Sequence, residues 1–188
     1  EGSVYGVYER ARNFYESEVT STYNCVQTDL VKAGSNIGDA KIGSQQSLLS
    51  VFTFNSVFNG ENSLVQQIWD GCYIGLNRAN LIIEGIDNLQ IDWTPDKIAR
   101  KNQVLGEAYF FRAFYHYTLV TRWENIVLAD KVSNDPDAKI TLTPKENVYP
   151  LIISDLETAI QLLKSASEIG YSSRISKGTA HHLLSKAL

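Results

Sequence analysis

The segment from Thr94 to about Arg122 constrains the fold most, because apolar residues recur at helical spacing along two of its faces. Its first residues, Thr94 and Pro95, are of the types preferred at a helix N-cap and at the first helical position. The two faces consist of Leu105, Ala108, Phe111, Tyr115 and Leu119, and of Phe110, Phe114, Tyr117 and Thr121. A helix that is apolar on two faces is covered by neighbouring helices on both sides. We therefore expect the middle helix of a stack of helical hairpins.

Four further segments have apolar residues three and four positions apart and so predict helices. They cover residues 3 to about 19, 63 to 86, 143 to about 164, and 176 to 188, with Ser3 as the cap of the first. Strand-like alternation is nearly absent from the chain, so we expect five helices and no strands. The predicted fold class is an all-α array.

Local signals refine two of these helices. Thr143-Pro144-Lys145-Glu146 has the sequence of a capping box at the start of the fourth helix, and Pro150 predicts a kink or a restart within it. In the second helix, Gly71 and Gly75 each lower helix stability by about 1 kcal/mol relative to alanine. Their presence indicates that a neighbouring helix approaches this helix closely.

Two long segments lack helical spacing. Residues 34–63 form an irregular insertion rich in glycine, serine and asparagine, and residues 123–142 form a second connector. A loop of about thirty residues is uncommon in a compact domain and is often functional. We expect a single helical domain over residues 1–188. Because the sequence lacks methionine and ends within a predicted helix, we also expect the chain to be truncated at both ends.

The chain has two cysteines, Cys25 and Cys72, without a CxxC pattern or histidines at zinc-site spacing. They form either a disulfide or two small buried thiols. Buried thiols are the favoured interpretation, because Cys72 falls on the apolar stripe of the second helix.

The third and fourth helices contain fragments of a helical repeat. Leu105-Gly106-x-x-Tyr109 matches the core of the first helix of a tetratricopeptide repeat, and Leu156-x-x-Ala159 resembles its second helix. The spacing between them exceeds the ordinary repeat of about 34 residues, so the repeat carries an insertion. These fragments predict tetratricopeptide-like stacked helical hairpins with a long irregular loop insertion.

Longer motifs follow one another in a fixed order and are more specific than the repeat fragments. They are W-x-x-x-Y-x-x-L-N-x-A-N over 69–80, G-E-A-Y-F-F-R-A-F-Y-H-Y-T-L-V over 106–120, V-Y-x-x-I-I-x-D-L-E-x-A over 148–159 and R-I-S-K-G-x-A-x-x-L-L over 174–184. In this order they resemble the SusD/RagB family, and the resemblance covers essentially the whole chain. Residues 123–127 depart from the family pattern, because they lack its aromatic–Gly–acidic–x–Pro turn.

The resemblance implies a glycan-binding or nutrient-binding lipoprotein on the extracellular face of the outer membrane. Its anchor would be an acylated N-terminal cysteine that this sequence lacks. Such a protein forms a lid on a SusC-type TonB-dependent transporter and passes oligosaccharides, polysaccharides or, in some relatives, peptides to it. Family members are far longer than this chain, and their helices form a base beneath a second, irregular part that contacts the ligand.

The insertion at 34–63 contains the residues that we predict to bind a ligand. A sugar needs flat aromatic faces for its C–H side and amides or carboxylates for its hydroxyl groups. Phe52, Phe54 and Phe58 provide aromatic faces, and Asn55 and Asn59 provide amides. In the family, a loop in this region contributes part of the glycan site. The alternative is that the phenylalanines anchor the loop on the helical base.

An enzyme is not expected, because the chain has no nucleophile elbow, P-loop, HExxH motif or glycine-rich dinucleotide turn. No cofactor or metal site is predicted either, since His181 and His182 are adjacent and point to different sides of a helix. His116 is expected to be a packed or capping residue. The net charge of −4, with scattered basic residues, argues against nucleic acid as a partner. The alternative function is a generic tetratricopeptide adaptor that binds a peptide in its concave groove.

Polar residues within the helices are interpreted as structural. Glu107 and Arg112 are expected to be buried or half-buried partners that define helix register, and Asp155 is a possible partner for such an arginine. Asn77 and Asn80 lie three positions apart on one face, where asparagine amides are expected to bind the backbone of a neighbouring loop.

Overall fold

A computed structural model describes residues 2–16, 62–133, 140–170 and 173–188 of the chain. Within these ranges it contains six helices and two short strands. In chain order they are α1 (Gly2–Glu16), α2 (Ser63–Asp87), α3 (Pro95–Val120), β1 (Asn125–Val127), β2 (Leu142–Pro144), α4 (Lys145–Leu162), α5 (Ala166–Ile169) and α6 (Lys177–Ala187). The predicted all-α class is confirmed.

The chain divides into two compact units. The larger comprises residues 1–8 and 72–188, and the smaller comprises residues 9–71. In the smaller unit, Arg10 Nε donates to the Gly71 carbonyl at 3.3 Å, and a Cβ on Gly71 would lie 2.9 Å from Arg10 Nη2. The close approach of a helix predicted at Gly71 is therefore made by α1 through the side chain of Arg10. The single domain expected for the whole chain stays a prediction.

In the larger unit, α2 and α3 form an antiparallel pair. Gly75 faces Tyr115, and Asn80, further along α2, meets Arg112, which comes earlier in α3. A Cβ on Gly75 would lie 2.4 Å from the Tyr115 ring, which is far inside van der Waals contact. The absent side chain thus makes room for a buried aromatic ring, as predicted for this glycine.

The opposite face of α3 packs against α4, again in an antiparallel arrangement. Gly106 lies against the end of α4, where an added Cβ would be 2.9 Å from Leu163 Cγ. Arg112, further along α3, binds Asp155, which comes earlier in α4. The glycine of the Leu-Gly-x-x-Tyr motif therefore allows two helices to approach closely. α3 is sandwiched between α2 and α4, so this prediction is confirmed.

The core of the larger unit is built from the apolar stripes of these helices. Among the residues with almost no exposed surface are Val4, Val7, Cys72, Leu76, Ala79, Ala108, Tyr115, Leu119, Ile126, Val148, Ile152, Leu156, Ala159 and Ala180. Tyr8 of α1 meets Phe111 of α3 edge to face, with ring centroids 4.8 Å apart. Burial of such side chains stabilises the fold by about 1.5–3 kcal/mol each, so the long helices are held by packing rather than by propensity.

The connector after α3 contains the two strands, so the expectation of no strands is wrong here. β1 and β2 pair antiparallel, with Ile126 opposite Thr143. Ile126 is fully buried, and Tyr73 of α2 binds the backbone of Val127 through its hydroxyl, which accepts from the amide at 2.8 Å and donates to the carbonyl at 3.0 Å. Strands of three residues are too short for alternation to reveal them in a sequence.

The start of α4 also differs from the prediction. Thr143 and Pro144 belong to β2, the helix begins at Lys145, and no side chain caps it. The predicted capping box is therefore wrong, because the backbone of Thr143 is recruited into the strand pair. α4 does not restart at Pro150, which lies in its second turn, where proline removes one helical hydrogen bond.

Other helix ends follow the local sequence more closely. Thr94 and Pro95 take the predicted positions, although the Thr94 side chain makes no cap hydrogen bond. Ser176 caps α6 by accepting from the Thr179 amide. α1 already begins at Gly2, one residue before the predicted cap. The short helix α5 was not expected; it has a true capping box between Ser165 and Glu168 and ends at Gly170 with φ of 69°.

Candidate functional site

The residues predicted to bind a ligand, Phe52, Phe54, Asn55, Phe58 and Asn59, lie outside the described residues. Their role stays a prediction. The same holds for the state of the cysteines, because Cys25 is outside the described residues, whereas Cys72 is fully buried. The described part of the chain instead contains two buried polar centres, both built on α3.

The first centre surrounds the guanidinium group of Arg112. Its Nε and Nη2 donate to the two carboxylate oxygens of Asp155, each at 2.7 Å, and its Nη1 donates to Asn80 Oδ1 at 3.1 Å and to the Asp130 carbonyl at 2.7 Å. Burial lowers the pKa of Arg112, but the bonds and charge of Asp155 outweigh burial and raise the pKa above its ordinary value. Burial also raises the pKa of the Asp155 carboxyl, against the opposing effect of Arg112. The geometry nevertheless pairs the two side chains in a bidentate contact, as the possible pairing of Asp155 with an arginine predicted.

The amide of Asn80 links this centre to the connector after β1. Asn80 Nδ2 donates to the carbonyl oxygens of Ala129 at 3.0 Å and Lys131 at 3.1 Å, and Glu84, one turn further along α2, accepts from the Val132 amide at 2.6 Å. The prediction that an asparagine here binds loop backbone is confirmed for Asn80. Asn77 is exposed.

His116 completes the same attachment from α3. Its Nδ1 lies 3.0 Å from the Arg112 carbonyl and its Nε2 lies 3.3 Å from the Ala129 amide. Because a carbonyl only accepts and an amide only donates, the proton is on Nδ1 and the ring is neutral. Burial lowers the pKa of His116 to about 4. With both ring nitrogens engaged, this histidine is a packed residue, as expected.

The second centre surrounds Glu107, which is fully buried. Arg174 Nε and Nη2 donate to its two oxygens, each at 2.8 Å, and Gln103 Nε2 donates to one of them at 2.7 Å. These bonds, ahead of the opposing effect of burial, raise the pKa of Arg174 above its ordinary value. Glu107 and Arg112 are both buried, as expected, but the expected partnership between them is wrong. Glu107 binds Arg174 instead, and Arg112 binds Asp155. The sequence pattern did not predict the pair Glu107–Arg174, although both residues lie within family motifs.

The second centre attaches the segment between α5 and α6. Gln103 Nε2 also donates to the Ile175 carbonyl at 3.0 Å, and Tyr8 accepts from the Ile175 amide at 2.7 Å. Burial first, and the charge of Glu107 second, raise the pKa of Tyr8 above its ordinary value, so the phenol is neutral. The connector after β1 and the segment before α6 are thus fastened to α3 by buried polar side chains.

This arrangement is suited to rigidity rather than to chemistry. Each buried carboxylate faces an arginine in a bidentate pair, which is the strong form of such a bond. The described ranges contain no group of three or more residues that could hold a metal ion. In those ranges, likewise, no helix is both long and apolar enough to cross a membrane.

Comparisons with known proteins agree with this architecture. A family model of SusD-like proteins, described as starch-binding and associating with the outer membrane, matches residues 19–188. SusD-like protein P2 of Formosa agariphila is 30% identical over 131 residues, which are 69% of this chain and 24% of that protein. SusD-like protein P38 of the same organism is 32% identical over 107 residues, which are 56% of this chain and 20% of that protein.

Solved structures show the same fold. A SusD homologue from Bacteroides thetaiotaomicron is 27% identical, with a TM-score of 0.74, and the match covers 99% of this chain and 34% of that one. A laminarin-binding SusD-like protein is 23% identical, with a TM-score of 0.75 over 99% of this chain and 38% of that one. The matches to this chain therefore span about a fifth to two fifths of the length of these relatives.

The fold and the two polar centres define a tetratricopeptide-like helical scaffold whose connectors are fastened to its central helix. Because the family model covers most of the sequence, the chain belongs to the SusD-like family.

Proposed function

We propose that this chain is the helical base of a cell-surface carbohydrate-binding protein that captures oligosaccharides or polysaccharides without cleaving them. The match of residues 19–188 to the starch-binding SusD-like model is the observation that carries this proposal. The relative that binds laminarin supports a neutral glucan as the class of ligand. The buried ion pairs add support, because a scaffold that presents loops to a ligand needs connectors held in place.

We assign the sugar contacts to the insertion at 34–63, with Phe52, Phe54 and Phe58 as stacking faces and Asn55 and Asn59 as hydrogen-bonding groups. Aromatic rings pack against the C–H face of a pyranose, and amides bind its hydroxyl groups. The helical stack would serve these residues as a platform rather than as a contact surface.

The proposed location is the extracellular face of the outer membrane, with a lipid anchor on the longer protein. The proposed partner is a SusC-type TonB-dependent transporter that receives the captured glycan. The description of the family as associating with the outer membrane supports the proposed location.

Titration calorimetry with a panel of neutral glucans, including starch and laminarin, tests the proposal on the 188-residue chain. We expect saturable binding of at least one glucan and a loss of about tenfold or more in affinity in Phe54→Ala and Phe58→Ala, the size of a hot-spot truncation. Tyr5→Ala, which truncates an aromatic residue that is 61% exposed on α1, is the matched control and should bind normally.

Unchanged affinity in both phenylalanine variants would remove the insertion from the site. Release of new reducing ends from the glucan would contradict binding without cleavage. Binding of peptides with no response to any glucan would favour a generic tetratricopeptide adaptor.

A further inference from the structure

An apolar groove lies in the larger unit where α2 ends and α3 begins, and we call it the elbow groove. Its volume is about 550 Å³. Ile82 and Val104 form buried parts of its lining, whereas Leu81, Leu89 and Ile91 are 52%, 47% and 46% exposed. Large aliphatic side chains that are half exposed beside one another are typical of an interaction surface.

Cations form one side of the elbow groove. Lys97, Arg100 and Lys101 line it from the first turns of α3, and none of its lining residues is acidic. In the part of the chain that the structure describes, none of the three forms a salt bridge. Lys97 donates to the backbone carbonyl of Asp92, and Lys101 lies 4.7 Å from the centre of the Trp93 ring. The groove is thus locally basic on a chain of net charge −4.

The chemistry of the lining distinguishes between possible ligands. A neutral sugar needs an open aromatic face with amides or carboxylates around it. The elbow groove has one aromatic ring, Trp93, which Lys101 covers, and its charged lining groups are all cations. Its aliphatic walls match aliphatic side chains, and its cations match carboxylates.

We propose that the elbow groove docks a segment of a protein partner that presents aliphatic side chains next to carboxylates. Proteins often bind one another when the apolar face of an amphipathic helix from one lies in an apolar groove of the other. The charge complementarity would orient the segment and select against basic partners. This interaction is separate from glycan capture, because it uses α2 and α3 rather than the insertion at 34–63.

Two synthetic peptides of equal length provide the probe. Both carry leucine at helical spacing, and the flanking positions are glutamate in one and lysine in the other. Fluorescence anisotropy of the labelled peptides with the 188-residue chain measures affinity. We expect saturable binding of the glutamate peptide, and binding about tenfold or more weaker for the lysine peptide, because like charges meet in the second complex.

Charge reversal sharpens the test. Arg100→Glu combined with Lys101→Glu should weaken the glutamate peptide by about tenfold and improve the lysine peptide, because the complementarity is inverted. Leu81→Asp should weaken the glutamate peptide as well. The matched control, Lys131→Glu with Lys177→Glu, changes the same number of exposed cations outside the groove and should leave both affinities unchanged. Circular dichroism confirms that each variant is folded.

Three outcomes would overturn the proposal. They are no binding of the glutamate peptide, equal affinity for the two peptides, and an affinity that charge reversal in the groove does not change. A fourth would reassign the groove: dextran sulfate binding that depends on Arg100 and Lys101, with no peptide binding, would indicate an anionic glycan. The neutral glucan titrations do not involve the groove, so the two proposals can fail independently.

Discussion

The two ends of α3 differ in how their charged side chains are used. From residue 103 onward nearly every side chain is buried or half-buried, and Arg112 is enclosed by a carboxylate, an amide and a backbone carbonyl. Before residue 103, Arg100 is exposed and, within the described residues, forms no ion pair. One arginine therefore holds the fold together, whereas the other is available to a ligand. The difference arises because α4 and the connector cover only the later part of the helix.

The largest loss of stability is expected from a substitution in the buried part of α3. Arg112→Ala should lower the free energy of unfolding by about 3–5 kcal/mol, because Asp155 is left as a buried carboxylate without its partner. Arg100→Ala on the same helix should change it by no more than about 0.5 kcal/mol. Unfolding in urea, followed by circular dichroism, measures both variants.

The double variant Arg112→Met, Asp155→Leu distinguishes the loss of the whole ion pair from the burial of one unpaired charge. It should recover much of the loss, since no charge remains buried alone. Equal losses for Arg112→Ala and Arg100→Ala would mean that the two ends of α3 do not differ as described.

Acid titration tests the attachment of the connector through His116. Its pKa of about 4 in the folded protein lies below the ordinary 6.5, so the unfolded chain binds more protons between these values. The contribution of His116 to the free energy of unfolding is therefore fully present above about pH 6.5. It is lost as the pH falls to 4, and the loss amounts to about 3 kcal/mol. The charge of Arg112 opposes protonation of the ring, whereas that of Asp130 favours it.

Urea unfolding at a series of pH values measures this dependence. His116→Gln should be less stable at neutral pH and should lose the part of the slope that this group contributes between pH 6.5 and 4. His182→Gln, on the exposed face of α6, is the matched control and should retain the slope. A slope that is identical in all three proteins would contradict the assignment.

Two glycines of α2 are expected to give the smallest of these effects. Gly75 faces the covered part of α3 at Tyr115, whereas Gly85 lies beside the exposed start of α3. Gly75→Ala should destabilise by about 1–3 kcal/mol, because its Cβ would overlap the Tyr115 ring. Gly85→Ala, beside the elbow groove, meets nothing within 4 Å and should stabilise by about 0.5–1 kcal/mol through helix propensity. Thermal unfolding measures both changes. A change of the same sign in both variants would contradict the proposed difference in packing between the covered and the exposed parts of α3.

Much of the fold follows from periodicity, because a helix is a local structure. The spacing of Ile68, Cys72, Leu76 and Ala79 predicts α2, and the two apolar faces of α3 predict a helix covered on both sides. Local rules fail where distant backbone competes. Thr143 has the sequence of a cap but pairs with Ile126, because a strand partner binds its backbone in place of the helix end.

The polar residues divide in the same way. The burial of Arg112 and the loop-binding role of Asn80 could be predicted from residue type and position on a helix. The partner of Glu107 could not, because Arg174 is 67 residues away and reaches it only when the segment before α6 folds against α3. The candidate glycan residues at 52–59 rest on composition and family resemblance alone.

By itself, the sequence determined the all-α class, the approximate extent of the long helices and membership of the SusD-like family, because periodicity and ordered motifs are properties of the chain. Only the tertiary structure decided which charges are buried in pairs and which line the elbow groove. The physical reason is that the cost of a buried charge and the exposure of an aliphatic wall both depend on what packs against them. For Arg112 and Arg100, which lie on one helix, that is the whole difference.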